Sequence, residues 1–595
     1  MNSKHKLLAL LCLLFFVTGM IKAQTYNAND PKWDQTPSTV LYPLGNYVAL
    51  PQQVLPVQRS MTPRVIKTPN EVLDIFPNIQ VLPSPGVLQI ETPIVVSRVN
   101  PLFMFGSSNI IQGGQINAGS FTTTNGGVNW TGSNFINNGN AANQRSDPGP
   151  AIDKNQRIIF THITSSSNFG AITGMGAEWS TNFGANFSPT VQIEFNTNVD
   201  KNLAATDDNP GSPYYGNTYC AYTVFSGSNA NGHFNRTTDG GLTWGTAYQI
   251  SVTPSPYFAQ GHDVDVRPNG DVIVCWTLGQ TSNPYTEHFV GVAKSTDGGA
   301  TINSANVQDE AYAVNGTRSF AFNGWSSFRI NGFPRMSIDK SGGPRDGWIY
   351  IVDDQVSLAP AGNDADVIMH RSTDGGATWS AGIRVNQDTL NNGKVQFFPC
   401  INVDASGAVN VAYYDNRNFP SVGDSCSVFI SRSLDGGNTW IDAEVADHHY
   451  KPKQPPGVGG GFDYMGVTSA NGKIWAFWSD DKSGTFNAWA GYITANPLGI
   501  NPQSNLIPKT YSLAQNFPNP FNPTTLIKYG IPKQGLVKIV VYDILGREVN
   551  TLINEVKQAG TYEINFNASE LASGVYFYRI TANDFTDVKK MMLIK

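Results

Sequence analysis

The chain has 595 residues, of which 14% are charged, with 58 Gly, 36 Pro, 23 Tyr and a formal charge of −6. At roughly 150 residues per domain this length calls for several domains, and the glycine-, proline- and tyrosine-rich mixture favours a turn-rich β protein over helices. A mildly acidic chain without a long basic run excludes nucleic acid and an anionic membrane surface as expected partners.

Lys4 and Lys6 precede an apolar run from Leu7 to Val17, and "GMIKA" ends at Ala23. That order predicts a secretory signal peptide over 1–23. The run is too short for a good transmembrane helix, and no later stretch predicts a transmembrane segment. Cys12 has no small residues before it, which argues against a lipoprotein anchor. Residues 24–90 are Pro-rich and weakly periodic; they predict an extended lead-in, with the option of lending a strand that closes a ring. Cys220, Cys275, Cys400 and Cys426 remain after the leader, with no CxxC pair. They predict buried free thiols, with one or two bridges as the alternative and no thiolate zinc site.

From residue 123 onward a motif recurs. "TTNGGVNW" (Thr123–Trp130), "STNFGANF" (Ser180–Phe187), "TTDGGLTW" (Thr237–Trp244), "STDGGATI" (Ser295–Ile302), "STDGGATW" (Ser372–Trp379) and "SLDGGNTW" (Ser433–Trp440) are its six copies. A recurring unit of about 60 residues is larger than a hairpin and signals repeat architecture. Inside each unit the pattern is β. Before Trp440, "PCINVD", "AVNVAYYD" and "CSVFISRS" read as three strands, the motif as a turn, and Ile441–Val445 as a fourth strand. Four-stranded units in series, without helical patterns between them, predict propeller blades over 91–497. Seven blades are expected, the last without a motif, with six as the alternative because the first unit is irregular.

The motif has the chemistry of a tight turn. The Asp accepts from backbone amides of its own turn, the glycines permit positive φ, and the Trp offers an apolar face for packing between blades. These residues resemble the Asp boxes, or BNR repeats, of the sialidase-like propeller superfamily. The resemblance implies that Asp239, Asp297, Asp374 and Asp435, with Trp244, Trp379 and Trp440, are structural and lie opposite the active face. Asn125 and Asn182 replace the Asp in the first two copies and predict weaker turns there.

If the motif turns face one way, the second-to-third-strand loops and the blade-to-blade connections face the other. Those segments carry the candidate chemistry: Arg329, Arg335, Asp353, Asp354, Tyr414, Asp415, Arg417 and Asp480, with Asp481 beside it. A sialidase of the resembled family needs three arginines, a Tyr nucleophile with a Glu partner, and an Asp acid/base. The F/Y-R-I-P signature is missing; "FRING" at Phe328–Gly332 lacks the Pro. An arginine fork is imaginable from Arg335, Arg345 and Arg417. The simpler expectation is that the carboxylates are solvated loop acids, that Tyr413 and Tyr414 are strand-end residues, and that His448 and His449 are exposed. No metal site or cofactor is expected, although "GNDAD" and "SDDKSG" have calcium-type oxygen ligands.

Residues 498–510 predict a linker. Beyond it, "LVKIVVYDIL", "TYEINFN" and "GVYFYRIT" are alternating strands of a small Ig-like β-sandwich over 511–595. "NFPNPFNPTT", "VYDILGREV", "LASGVYFYRI" and the terminal "KKMMLIK" resemble the type A C-terminal sorting domain of type IX secretion cargo. The resemblance implies recognition by that secretion machinery and release from, or attachment to, the outer cell surface. The whole sequence predicts an all-β exported protein whose loop face binds a glycan or a protein, with a sialidase-like glycoside hydrolase as the alternative.

Overall fold

The computed structural model describes residues 64–594 apart from 69, 114, 137–144, 167–170, 227–228, 251, 283–284, 317–329, 420–424, 451–462, 498–501, 505–509 and 558. The signal peptide and Arg329 therefore lie outside the described residues. The chain forms two compact units, with Asp74–Thr494 in the first and Ala495–Lys595 in the second.

The first unit is built from seven antiparallel sheets. Their innermost strands are Ile94–Val96 (preceded by Leu88–Ile90), Arg145–Ile152, Val199–Thr206, Tyr257–Val266, Arg335–Ile338, Gln396–Val403 and Gly466–Ala470. Each inner strand packs on the next one, and Gly466–Ala470 packs back on Ile94–Val96. That closed succession makes a seven-bladed propeller. Blade 6 shows the pattern: Gln396–Val403, Val409–Asp415, Ser427–Ser433 and Ile441–Glu444 pair in order.

Blade 7 has only three strands of its own, Gly466–Ala470, Lys473–Asp480 and Asn487–Pro497. Ile79–Gln80 comes in from the other end of the unit and pairs with the last of these, Ile79 opposite Ala490. Asn78 fastens this strand: its side-chain amide donates to the Val445 carbonyl at 3.0 Å, and its oxygen accepts from the Asp447 amide at 2.6 Å. The lead-in segment thus does lend the strand that closes the ring.

The core lies between blades, because each sheet buries both faces against neighbours. Between blades 5 and 6, Tyr350, Val352 and Met369 meet Val409, Val411 and Trp440; between blades 7 and 1, Trp475 and Phe477 meet Phe121 and Trp130. The repeated turns join the third and fourth strands. In each, the opening hydroxyl donates to Oδ1 of the Asp or Asn, as from Ser372 to Asp374 at 2.8 Å. The second glycine amide donates back to that hydroxyl, Gly376 to Ser372 at 2.8 Å, with φ +88° at Gly376, a conformation that suits glycine. Thr378 closes the loop with its amide on Oδ1 at 2.9 Å and its hydroxyl on Oδ2 at 2.6 Å. Desolvation pushes Asp374 up, but these bonds together outweigh it and pull the carboxyl down to about 2. In the first two copies Asn125 and Asn182 accept the hydroxyl and one amide, each through Oδ1.

The turns also serve the neighbouring blade. Arg157 of blade 2 donates to the Gly240 carbonyl at 2.7 Å, Lys294 of blade 4 to Gly375 at 3.4 Å, and Lys473 of blade 7 to Gly126 at 3.4 Å. A cation from one blade therefore sits in the carbonyls of the next blade's turn. The motif tryptophans lean the opposite way: Trp379 of blade 5 packs on Tyr312 of blade 4, ring centres 5.4 Å apart.

The second unit pairs two four-stranded sheets. One holds Thr524–Ile531 and Gly560–Asn567 at its middle; the other runs Glu548–Lys557, Gly535–Tyr542, Gly574–Ala582, Phe585–Leu593. Ile527, Tyr529, Ile539, Val541, Tyr578 and Met591 fill the space between them. This is the expected β-sandwich. Cys220, Cys275, Cys400 and Cys426 are all free thiols.

Candidate functional site at the ring centre

The inner strands begin at one end of the ring, and they do not begin regularly. Register slips occur between Asp200 and Leu203, between Gln260 and Asp263, and between Phe397 and Cys400. A slip in blade 2 lies opposite Ser146–Gly149. At these bulges the backbone turns left-handed: φ is +54° at Asp147, +47° at Lys201, +70° at Gly261 and +51° at Phe398. Glu91, between the two short strands that open blade 1, has φ +56°. For residues with a side chain this costs about 1–3 kcal/mol each and persists only where the surroundings enforce it. A bulge re-aims the side chain it carries.

Here the re-aimed side chains meet. The Lys201 ammonium, from blade 3, lies 3.3 Å from Glu91 of blade 1 and 3.7 Å from Asp147 of blade 2. It is also ion-paired to Asp463, just before blade 7. Asn109 supports two of these carboxylates, donating to Glu91 at 2.7 Å and to Asp147 at 3.3 Å. Asn331 donates to Asp463 at 2.9 Å and Gln260 to Asp200 at 2.8 Å. Tyr464 completes the group. Its ring has the Arg335 guanidinium 4.9 Å away and the Lys201 ammonium 5.7 Å away. Its hydroxyl is buried without a hydrogen-bond partner among the described residues.

Carboxylates outnumber cations in this cluster, and burial makes that costly. Burial, reinforced by Asp147 and Asp463 and opposed by Lys201, lifts Glu91 to about 8. Burial and Asp147 lift Asp200 to about 7, and burial lifts Asp263 to about 6 despite Arg335. Burial alone would lower Lys201, but the surrounding carboxylates hold its ammonium well above the usual range. The cluster can therefore offer protonated carboxyls, carboxylates, an ammonium and a phenol within one small volume.

Of the candidates read from the sequence, Arg335 belongs to this cluster. The other described candidates sit further out. Asp353 and Asp354 end the second strand of blade 5 and are 1% and 0% exposed. Asp415 and Asp480 hold the same place in blades 6 and 7 and are equally buried. The expectation of solvated loop acids is thus wrong for these four, because the second strand is covered on both faces by adjoining blades. Asp415 accepts from Arg417 at 2.7 Å, and Arg417 also pairs with Asp442 and donates to the Tyr413 hydroxyl at 3.1 Å. Tyr414 donates to the Ser479 carbonyl at 3.0 Å. Asp480 accepts from the Trp478 indole at 2.7 Å and faces His448 at 2.8 Å. His448 is buried, contrary to expectation, because Asp447 and Asp480 grip both ring nitrogens. His449 is about half exposed.

The imagined arginine fork is not assembled. Arg417 is committed to Asp415 and Asp442, and Arg345 donates to the Gly407 and Leu434 carbonyls beside the motif turn of blade 6. In the calcium-type string "GNDAD", Asp366 is engaged elsewhere, accepting from Arg384 at 2.7 Å and from Gly362 at 2.7 Å. Among the described residues no group of three or more His, Cys, Asp or Glu is placed to hold a metal ion.

Sequence reasoning missed Glu91, Asp147, Lys201, Asp463 and Tyr464. One signal was present: "ETP", "SDPG", "VDK" and "FDY" each place an acid within three residues of the start of an inner strand.

Residues 515–595 match the family described as the secretion system C-terminal sorting domain. This chain is therefore type IX secretion cargo, destined for the cell surface or the extracellular space. No helix among the described residues is long and apolar enough to cross a membrane. No curated protein matches the sequence. Among solved structures, the chain is similar to an α-L-arabinofuranosidase from Fusarium graminearum, at 11% identity over 58% of this chain and 92% of that one, TM-score 0.37. It is also similar to the polysaccharide lyase Uly1, at 10% identity over 68% and 90%, TM-score 0.40. A third is an intramolecular trans-sialidase from Ruminococcus gnavus, at 13% identity over 68% and 93%, TM-score 0.33. At such identities and TM-scores, any activity must be argued from the residues of this chain.

Proposed function

We propose that this exported propeller binds a glycan at the ring centre, with Glu91, Asp147, Lys201, Arg335, Asp463 and Tyr464 as the contact groups. The observation that carries this reading is the convergence of those side chains from five blades, three of them (Glu91, Asp147 and Lys201) on left-handed backbone. A sugar ring presents adjacent hydroxyls, each of which donates to a carboxylate and accepts from an ammonium, guanidinium or phenol. The repeated turns, whose Asp239, Asp297, Asp374 and Asp435 are spent on their own loops, have a structural role in this reading. The acidic excess favours uncharged sugars over carboxylated ones such as sialic acid.

The test is a glycan array with the purified full chain, followed by calorimetry with Tyr464→Phe. Because the Tyr464 hydroxyl has no hydrogen-bond partner among the described residues, its removal should leave the melting temperature unchanged. Affinity for the bound glycan should fall about tenfold, the worth of one hydrogen bond of about 1.4 kcal/mol. Absence of binding to every glycan, or a preference for sialylated ones, would refute the reading.

A second reading is a glycoside hydrolase, favoured by one observation: Glu91 is pushed up to about 8 and so holds a proton at neutral pH beside ionisable neighbours. Turnover of fluorogenic glycosides that disappears in Glu91→Gln would establish it in place of simple binding.

A further inference from the structure

The sorting domain contains a turn that is stiff and apolar at once. Between Gly535–Tyr542 and Glu548–Lys557 the chain reverses through Asp543-Ile544-Leu545-Gly546. Asp543 fixes this turn from within. Its Oδ1 accepts from the Leu545 amide at 2.9 Å and the Arg547 amide at 3.0 Å. Its Oδ2 accepts from the Arg547 guanidinium at 2.7 Å. The Gly546 amide donates to the Asp543 carbonyl at 3.0 Å, and Gly546 takes φ +77°. The result displays two bare aliphatic side chains: Ile544 is 70% exposed and Leu545 72%. Turns are ordinarily polar, and a rigid turn spent on presenting Ile and Leu to water needs an explanation.

The neighbouring surface continues the theme. Beside the turn is a shallow cavity of about 350 Å³ lined by Tyr542, Phe577, Arg579 and Val588. Phe577 pairs across the sheet with Tyr542, and Arg579 with Val588. Val588 is 47% exposed. The exposed Arg579 guanidinium stands 4.9 Å from the Tyr542 ring, a cation at the edge of an apolar hollow. Turn and hollow form one continuous surface: an apolar projection next to an apolar recess with a basic rim.

We propose that this surface, led by Ile544 and Leu545, is where the sorting domain docks onto a protein of the export machinery. That partner would present an apolar socket with an acidic group opposite Arg579. The occupant is specified by two observations: the fold that carries the surface is a sorting domain, whose task is to be recognised by that machinery, and the rim charge selects an acidic counterpart. Burying the two exposed aliphatic side chains in a socket gains hydrophobic free energy, while the held turn reduces the entropy lost on docking. This inference is independent of the glycan reading.

The test expresses the full chain in a bacterium with type IX secretion and measures the fraction that leaves the periplasm. Ile544→Ser combined with Leu545→Ser should reduce that fraction at least tenfold, and Arg579→Glu should reduce it severalfold. Both variants should keep the parent's melting temperature, since all three side chains are exposed. Val556→Ser, at a residue 60% exposed on the outer strand of the same sheet, should be exported normally. Undiminished export of either docking variant overturns the proposal. So does an equal loss in Val556→Ser, which would mean that export tracks general surface hydrophobicity. Loss of export with a lowered melting temperature would be traced with Leu545→Ser alone, whose normal export would likewise overturn the proposal.

Discussion

Single side chains in this propeller do two distinct kinds of work. The motif carboxylates saturate their own turns, so their removal should be felt locally. Asp374→Ala deletes four acceptor contacts and should cost about 1–2 kcal/mol in chemical denaturation. Asp374→Asn should cost clearly less, because Asn125 and Asn182 already close two turns of this kind with Oδ1 alone. Equal losses for the two substitutions would show that the second oxygen, and with it the Thr378 hydroxyl bond, governs the turn. His448 works at longer range, joining Asp447 to Asp480. Burial opposes its charge, but Asp480 and Asp447 outweigh burial and push it up to about 9. A histidine raised in the folded state contributes fully below its unfolded value of about 6.5 and loses that contribution as pH climbs towards 9. Stability should therefore decline between these limits, and His448→Gln should flatten that decline in melts recorded from pH 6 to pH 9.5.

At the scale of strands and loops, the blades were legible and their meeting point was not. Alternating strands such as "AVNVAYYD", punctuated by a motif with its own turn chemistry, announce a four-stranded unit without any help from distant residues. Blade 7 lacked the motif yet was still readable from its aromatic strands. The central cluster has no such local grammar. Glu91 and Asp463 are more than three hundred residues apart, and they meet on Lys201, whose strand starts with a bulge that breaks the two-residue alternation strand reading relies on. The burial of Asp353, Asp415 and Asp480 was hidden for a related reason: a sequence shows where a strand ends, but not that another blade covers the end. Ring closure was half visible, as a Pro-rich lead-in with a strand to spare. Its fastening through Asn78 was not. Asn78→Ala should leave the Val445 carbonyl and the Asp447 amide without their partner and cost about 2–3 kcal/mol in urea unfolding. A neutral result would mean that the strand pairing of Ile79–Gln80 suffices.

The molecule as a whole combines a ring with an address. The ring supplies a rigid frame on which inner strands from different blades can hold strained side chains a few ångströms apart. The address, 515–595, determines where that frame ends up. A chain stopped after residue 510 should keep the seven blades and remain in the periplasm, as fractionation with an antibody to the propeller would reveal; its appearance outside the cell would mean that export information lies within the ring.

The pairing of Ile79 with Ala490 also has a meaning in time. A ribosome makes the closing strand first and its partner last. Until Ala490 exists, Ile79–Gln80 is an unpaired edge and the propeller an open arc, the kind of surface on which chains aggregate. The sorting domain is encoded after that point. Every chain that carries the address has therefore already received all the residues needed to close the ring, and interrupted chains are unaddressed by construction.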